Sequence, residues 1–179
     1  MLELETSCCP LCGAAECATV FAGAGFAPFA LQSCASCGLH YLSPRLTESA
    51  ITQHYASDRY FAGDGYTDYQ QQEASLRGTF SRFLRALAQR GCTGGSLLEV
   101  GCGYGYLLDE AQVHFERRVG IDFSPGAVQR AAALADAAYQ GGIEALPASE
   151  PVFDCVVATH VVEHVYHPRA FVKALMARL

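Results

Sequence analysis

Apolar positions change rhythm along the 179-residue chain. From Gln70 to Arg90, Leu76, Phe80, Phe83, Leu84 and Leu87 recur at helical spacing, which predicts a long amphipathic helix. Beyond it the rhythm shortens. Ser96–Val100, Arg118–Asp122 and Phe153–Ala158 are brief apolar runs with the length and composition of strands. A helix is expected over Tyr106–Phe115. Another should open at Ser124-Pro125, which offers an N-cap hydroxyl and a first-turn proline. The last should start at Tyr166-His167-Pro168. Ahead of the long helix, Ala18–Phe21, Phe29–Gln32 and Leu39–Leu42 read as short strands, and Thr47–Ile51 begins a further helix that Gly63-Asp64-Gly65 breaks. The expected organisation is a small module over 1–42, ending where Ser43-Pro44 interrupts the pattern, a helical, Tyr-rich segment over 43–91, and a core over 92–179. In the middle segment the dense aromatic residues Tyr55, Tyr60, Phe61, Tyr66 and Tyr69 read either as packing or as a lid over a substrate pocket.

Cysteine placement gives the first module its chemistry. Six of the nine cysteines lie in the first forty residues. Cys9-Pro10-Leu11-Cys12-Gly13 and Cys34-Ala35-Ser36-Cys37-Gly38 repeat one pattern, C-x-x-C-G. Two intervening residues let both thiolates of a tight turn face one ion, and the glycine permits a left-handed backbone. Two such turns supply the four sulfurs of a closed zinc site, so Cys9, Cys12, Cys34 and Cys37 are the expected ligands of a zinc ribbon. The other readings of these residues are unligated core thiols or disulfides. Cys8 would make a poorer spacing than Cys9, and Cys17 has no partner at matching spacing. A site closed by four cysteines has no open position, so its metal would support structure.

Charge and composition narrow the partners. Half the chain is hydrophobic (51%) and 17% is charged, enough apolar material for a packed core. The net charge of −6, and the lack of any Lys or Arg between Cys9 and Leu42, argue against nucleic acid as partner. No run reaches the roughly 18 apolar residues of a membrane helix, and the acidic N-terminus is unlike a signal peptide. A cytoplasmic protein with no membrane association is the expectation.

In the core, the run Ser96–Val100 leads into Gly101-Cys102-Gly103-Tyr104-Gly105 and then a helix. Strand, glycine loop and helix form the nucleotide-binding opening of a doubly wound parallel sheet. The second strand ends on Asp122, at about the spacing where an acid accepts hydrogen bonds from a ribose. The loop reads E-x-G-x-G-x-G, which differs from the G-x-G-x-x-G of dinucleotide sites.

This loop resembles the first motif of class I S-adenosylmethionine-dependent methyltransferases, and the resemblance runs from Leu97 to the C-terminus. Val119–Ser124 looks like their second motif and Gly141–Pro147 like their adenine-side loop. Phe153–Ala158 looks like their fourth strand, and Val161–Val165 like the helix opening after it. The resemblance implies a Rossmann-like α/β fold with strand order 3-2-1-4 behind the zinc ribbon. It implies S-adenosylmethionine as cofactor, held by Glu99, Gly101, Gly103 and Gly105 at the methionine end. Asp122 would take the ribose, Phe123 would lie against adenine, and the Ile143 backbone amide would serve the base. Gly142 stands where the family usually has an aspartate. A complete domain of the family has strands beyond the fourth, so the sequence is expected to be partial.

His160, Glu163 and His164 follow the fourth strand. If a helix begins at Val161 they share one face, and a histidine there suits removal of a proton from a methyl acceptor. His164 is the candidate base, with Glu163 beside it. A structural Glu163–His164 hydrogen bond and a divalent-metal site are the other readings. Together with the ribbon, the core resembles bacterial methyltransferases of sugars and other small metabolites, so a small-molecule acceptor is expected. An RNA methyltransferase and a non-catalytic binding protein are the rivals.

Overall fold

The structure is a computed structural model that describes residues 2–57, 60–61 and 69–179. The expected break at Gly63-Asp64-Gly65 and the position of Tyr66 lie outside the described residues. The chain forms two compact units, Met1–Gln53 with Val165–Phe171, and His54–His164 with Val172–Leu179.

The first unit holds two small antiparallel sheets. β1 (Leu4–Glu5) pairs with β5 (Arg45–Leu46), and β2 (Cys17–Phe21), β3 (Leu31–Cys34) and β4 (His40–Leu42) form a meander. β2 and β4 fall within a residue of their expected bounds. β3 starts two residues later than expected, because Phe29 stays in the preceding loop. There its amide bonds the Phe26 carbonyl, and the rings of Phe21, Phe26 and Phe29 pack edge to face. The buried apolar cluster of this unit is Cys9, Cys34 and Tyr41. That is little core for a folded unit, and a bound metal would offset the deficit. After the meander, α1 spans Glu48–Tyr55.

The second unit is built on a four-stranded parallel sheet of β6 (Ser96–Val100), β7 (Arg117–Asp122), β8 (Ala137–Gln140) and β9 (Cys155–Val157). The order is β8-β7-β6-β9, which in core numbering is the expected 3-2-1-4. β6 is central and pairs with both β7 and β9, so Leu97, Leu98, Glu99 and Val100 are all buried. This explains why β6 reads as a continuous apolar run broken only by Glu99.

α2 (Glu73–Ala88) presents the expected face, with Leu84 fully buried and Phe80, Phe83 and Leu87 packed against the same cluster. Its ends fall two to three residues inside the expected Gln70–Arg90. α3 is shorter than its pattern, Tyr106–Glu110, and passes into a 3₁₀ turn over Ala111–Val113. The tightened turn delivers Phe115 to the core before β7 begins. α4 (Pro125–Ala131) opens as expected, with Ser124 Oγ accepting the Ala127 amide and proline at N1. α5 covers Pro168–Met176.

Ser124 is 1% exposed, so water cannot replace its hydroxyl at the cap. Ser124→Ala should therefore destabilise the second unit by about 1 kcal/mol, at the usual value of such a cap. Urea denaturation of the two proteins would read this, and an unmoved midpoint would show that α4 does not depend on the cap.

Candidate functional site

Two groups of residues carry chemistry, one in each unit. In the first, the Cys9–Cys12 turn precedes β2 and the Cys34–Cys37 turn joins β3 to β4. In each, the amide of the following glycine bonds back to the first cysteine's carbonyl, Gly13 to Cys9 at 2.8 Å and Gly38 to Cys34 at 3.0 Å. Both glycines are left-handed, at φ 78° and 73°. The turns bring the four sulfurs within 4.8 Å of one another, with Cys9–Cys37 and Cys12–Cys34 each at 3.6 Å. Sulfurs about 2.3 Å from a tetrahedral zinc stand roughly 3.8 Å apart, so the cage fits that ion. The four cysteines are thus positioned to bind a metal, and neither Cys8 nor Cys17 joins them.

Backbone amides also face the sulfurs. The Cys37 amide, working against burial and helped by that of Ser36, lowers the Cys34 thiol to about 6. Cys37 is lowered by the Leu39 amide, yet burial and the other three thiols push it up to about 12. The cluster therefore loses its first proton easily and holds the later ones. A divalent cation releases those protons as it binds.

In the second unit the candidate residues gather at the carboxyl ends of the parallel strands, where open α/β sheets bind ligands. Gly101, Gly103 and Gly105 all have positive φ. At Gly101 (φ +75°) a Cβ would stand 2.6 Å from Val161 Cγ2, and at Gly105 (φ +81°) it would stand 2.9 Å from the Ala131 backbone. The crowding around these two glycines comes from the protein itself. The post-β9 loop closes on Gly101, and α4 closes on Gly105.

Asp122, at the end of β7, draws these pieces together. Its Oδ2 accepts the Gly103 amide at 2.9 Å and its Oδ1 accepts the Ser124 amide at 2.9 Å. Its carbonyl accepts the Gly141 amide at 2.8 Å, which ties in the turn leading to Ile143. Phe123 follows and is 37% exposed. Ile143 is half-buried in a 3₁₀ turn, and the Gly142 amide donates to Glu144 Oε1 at 3.2 Å.

Glu99 is 2% exposed, and its Oε2 has no hydrogen-bond partner among the described residues. Burial, and then the Asp122 charge, hold its carboxyl well above the usual range. Burial raises Asp122 as well, against the amides that stabilise its charge. Two carboxyls beside one glycine loop, one of them with an unsatisfied oxygen, suit a ligand that brings hydrogen-bond donors or positive charge.

The segment after β9 departs from expectation. No α-helix begins at Val161. His160 is left-handed at φ 55°, and Val162–His164 is a single 3₁₀ turn. Pro168 would end any helix opened at Val161 by about Tyr166, since the residue before a proline avoids helical backbone, and α5 starts afresh with Pro168 at its first position. Glu163 Oε1 lies 3.5 Å from His160 Nδ1, while the exposed His164 has its ring edge-to-face with Tyr55, centroids 6.1 Å apart. Glu163 and His160 are therefore paired, and His164 projects separately.

Sequence reasoning left the tyrosines as packing or as a lid over a substrate pocket, and did not foresee the position of Tyr69. The Tyr69 hydroxyl lies 3.1 Å from where a Gly103 Cβ would stand, and the Tyr69 ring packs with Phe61, Tyr104 and Tyr106. The aromatic density was visible in the sequence, but not its placement against the loop.

A family model of the methyltransferase domain matches residues 69–179. The chain belongs to this methyltransferase family. Among solved structures it is similar to magnesium protoporphyrin IX methyltransferase from Synechocystis PCC 6803 with bound SAH. The two share 19% identity at a TM-score of 0.54, over 73% of this chain and 67% of that one. It is similar to a SAM-bound amino pentose methyltransferase from Micromonospora echinaspora, involved in calicheamicin biosynthesis. Here identity is 24% and the TM-score 0.51, over 62% of this chain and 52% of that one. A plantazolicin methyltransferase in complex with a desmethyl analogue and SAH matches at 19% identity and a TM-score of 0.53, over 73% of this chain and 53% of that one. The chain thus spans about half to two thirds of these relatives, and the likenesses establish a shared methyltransferase fold. No curated protein matches it.

The Glu99 carboxyl yields a pH prediction for this methyltransferase domain. Its folded value is raised above the ordinary 4.5, so between the two values the folded state binds more protons than the unfolded. Stability from this group therefore falls as pH rises above about 4.5 and levels off above the folded value. In protein without ligand, Glu99→Gln should raise Tm more at pH 8 than at pH 5. An equal change at both would show that the carboxyl is not perturbed in solution.

Proposed function

We propose that this chain acts as an S-adenosylmethionine-dependent methyltransferase on a small-molecule acceptor, a sugar or another biosynthetic intermediate, and that its four cysteines hold a structural zinc. The observation that carries the cofactor assignment is Glu99, a buried carboxyl with an unpartnered oxygen at the foot of a three-glycine loop. The family membership, and the SAM and SAH in the similar structures, support it.

In this reading S-adenosylmethionine supplies an electrophilic methyl group on a sulfonium sulfur. Glu99 and the Gly101–Gly105 loop hold the amino-acid end, where an ammonium group would satisfy the free oxygen. Asp122 takes the ribose hydroxyls with the carboxylate that the Gly103 and Ser124 amides already orient. Phe123 lies against adenine with its exposed face, and the Ile143 amide serves the base. At an in-line displacement the protein's main tasks are to align the acceptor and remove its proton. His164, exposed beyond β9, is the base, and Glu163 orders the same turn through His160.

Asp122→Ala should weaken S-adenosylmethionine binding about tenfold or more, as expected for a charged hydrogen bond of about 1.5–3 kcal/mol. Asp122→Asn, which can still accept one amide, should lose less. Calorimetry would read both, and tighter binding of NAD than of S-adenosylmethionine would overturn the cofactor assignment. Elemental analysis of reduced protein should find about one zinc per chain, with Cys12→Ser losing the zinc and unfolding the first unit while the glycine loop keeps its fold. In turnover with the acceptor, His164→Ala should lower kcat far more than cofactor affinity.

A further inference from the structure

At the carboxyl ends of β7 and β8 two short segments lie side by side. Asp122 stands opposite Gln140 in the parallel ladder, and the Gly141 amide bonds the Asp122 carbonyl at 2.8 Å. The Gln140 side-chain amide donates to the Phe123 carbonyl at 3.4 Å. Phe123 and the turn over 141–144 are therefore neighbours along one edge of the candidate nucleoside site. Position 142 is glycine and gives that edge no side chain. Glu144 supplies one. Its Oε1 accepts the Gly142 amide at 3.2 Å, and a Cβ built on Gly142 would stand 2.6 Å from each of its carboxylate oxygens. The carboxylate thus fills the space that a side chain at 142 would enter, although it is carried two residues further along the chain.

The bond to Gly142 leaves this group able to accept more, since a carboxylate has about four acceptor sites. In the reading proposed above, the Ile143 amide serves the base. A donor amide on residue 143 and an acceptor carboxylate on residue 144 together match one edge of adenine, where an exocyclic amine donates beside a ring nitrogen that accepts. Hypoxanthine presents the reverse, a carbonyl oxygen beside a ring N–H. It would set acceptor against acceptor and donor against donor.

We infer that Glu144 determines the base specificity of the site, its carboxylate accepting the adenine amine. The inference rests on the reading of the chain as an S-adenosylmethionine binder. It adds the residue that distinguishes adenine from other purines.

The test compares two ligands that differ only at the base, S-adenosylhomocysteine and S-inosylhomocysteine, by calorimetry on the full chain. The native protein should prefer the adenine form about a hundredfold, because two polar pairs are mismatched in the other. Glu144→Ala should shrink that preference about tenfold, whatever it loses in absolute affinity. Adding Gly142→Asp to Glu144→Ala should restore most of it, since the added side chain enters the space the carboxylate left. Should Glu144→Ala fail to fold, Glu144→Gln keeps an oxygen for the Gly142 amide and turns a donor to the base. It should shift the preference toward the inosine form. If Glu144 served only to hold the Gly142 amide, both ligands would weaken equally and the preference would survive, which overturns the inference. A native protein that binds both ligands equally overturns it too, while leaving the cofactor reading in place. If neither ligand binds the native protein, the cofactor reading fails and this inference fails with it.

Discussion

The site in the second unit depends on where the Asp122 carboxylate points. It accepts one amide from the glycine loop and one from the start of α4 while standing at the tip of β7. Those bonds fix the loop after β6 relative to the neighbouring strand. The carbonyl of the same residue holds the turn after β8. Backbone amides that point at a carboxylate lose little on ligand binding if the ligand's hydroxyls can share the same oxygens. The acid is thus a structural clamp on the loop, the helix start and the turn after β8.

Glu99 represents the opposite arrangement. It sits in the central strand, where both faces are covered, and one of its oxygens finds no donor. A fold selected only for stability would place an apolar residue there, as at Leu97 and Leu98. A buried acid without a partner is destabilising until a donor or a cation arrives. Burial answers that cost by favouring the neutral carboxyl. The carboxyl of Asp122 adds to this by raising Glu99 further.

The first unit has a different source of order. Its buried apolar residues are few among those described, its β2 strand is exposed along its whole length, and its four sulfurs lie within 4.8 Å of one another. The same unit carries the β1–β5 ladder, on which the segment after His164 is docked through Tyr166.

The strand order came from the family resemblance, and the bounds of β8 were not foreseen. Local patterns in the sequence were enough to specify β6, β7 and β9, the cap on α4, the paired cysteine turns and the glycine loop with its acid. Each follows from short-range spacing or from burial on two faces. The two C-x-x-C-G turns needed only their own backbone geometry, and β6 needed only its apolar run. Tertiary structure decided the rest. Whether Val161 opened a helix depended on Pro168 and on the packing of Val161 against Gly101, and the outcome was a 3₁₀ turn with His160 left-handed. That turn separated His160 and Glu163 from His164, which a helical spacing would have put on one face. Tyr69 reached Gly103, and Tyr166 reached Arg45, across 34 and 121 positions of sequence. No periodicity encodes contacts of that separation, because they arise only when the elements that carry them have packed.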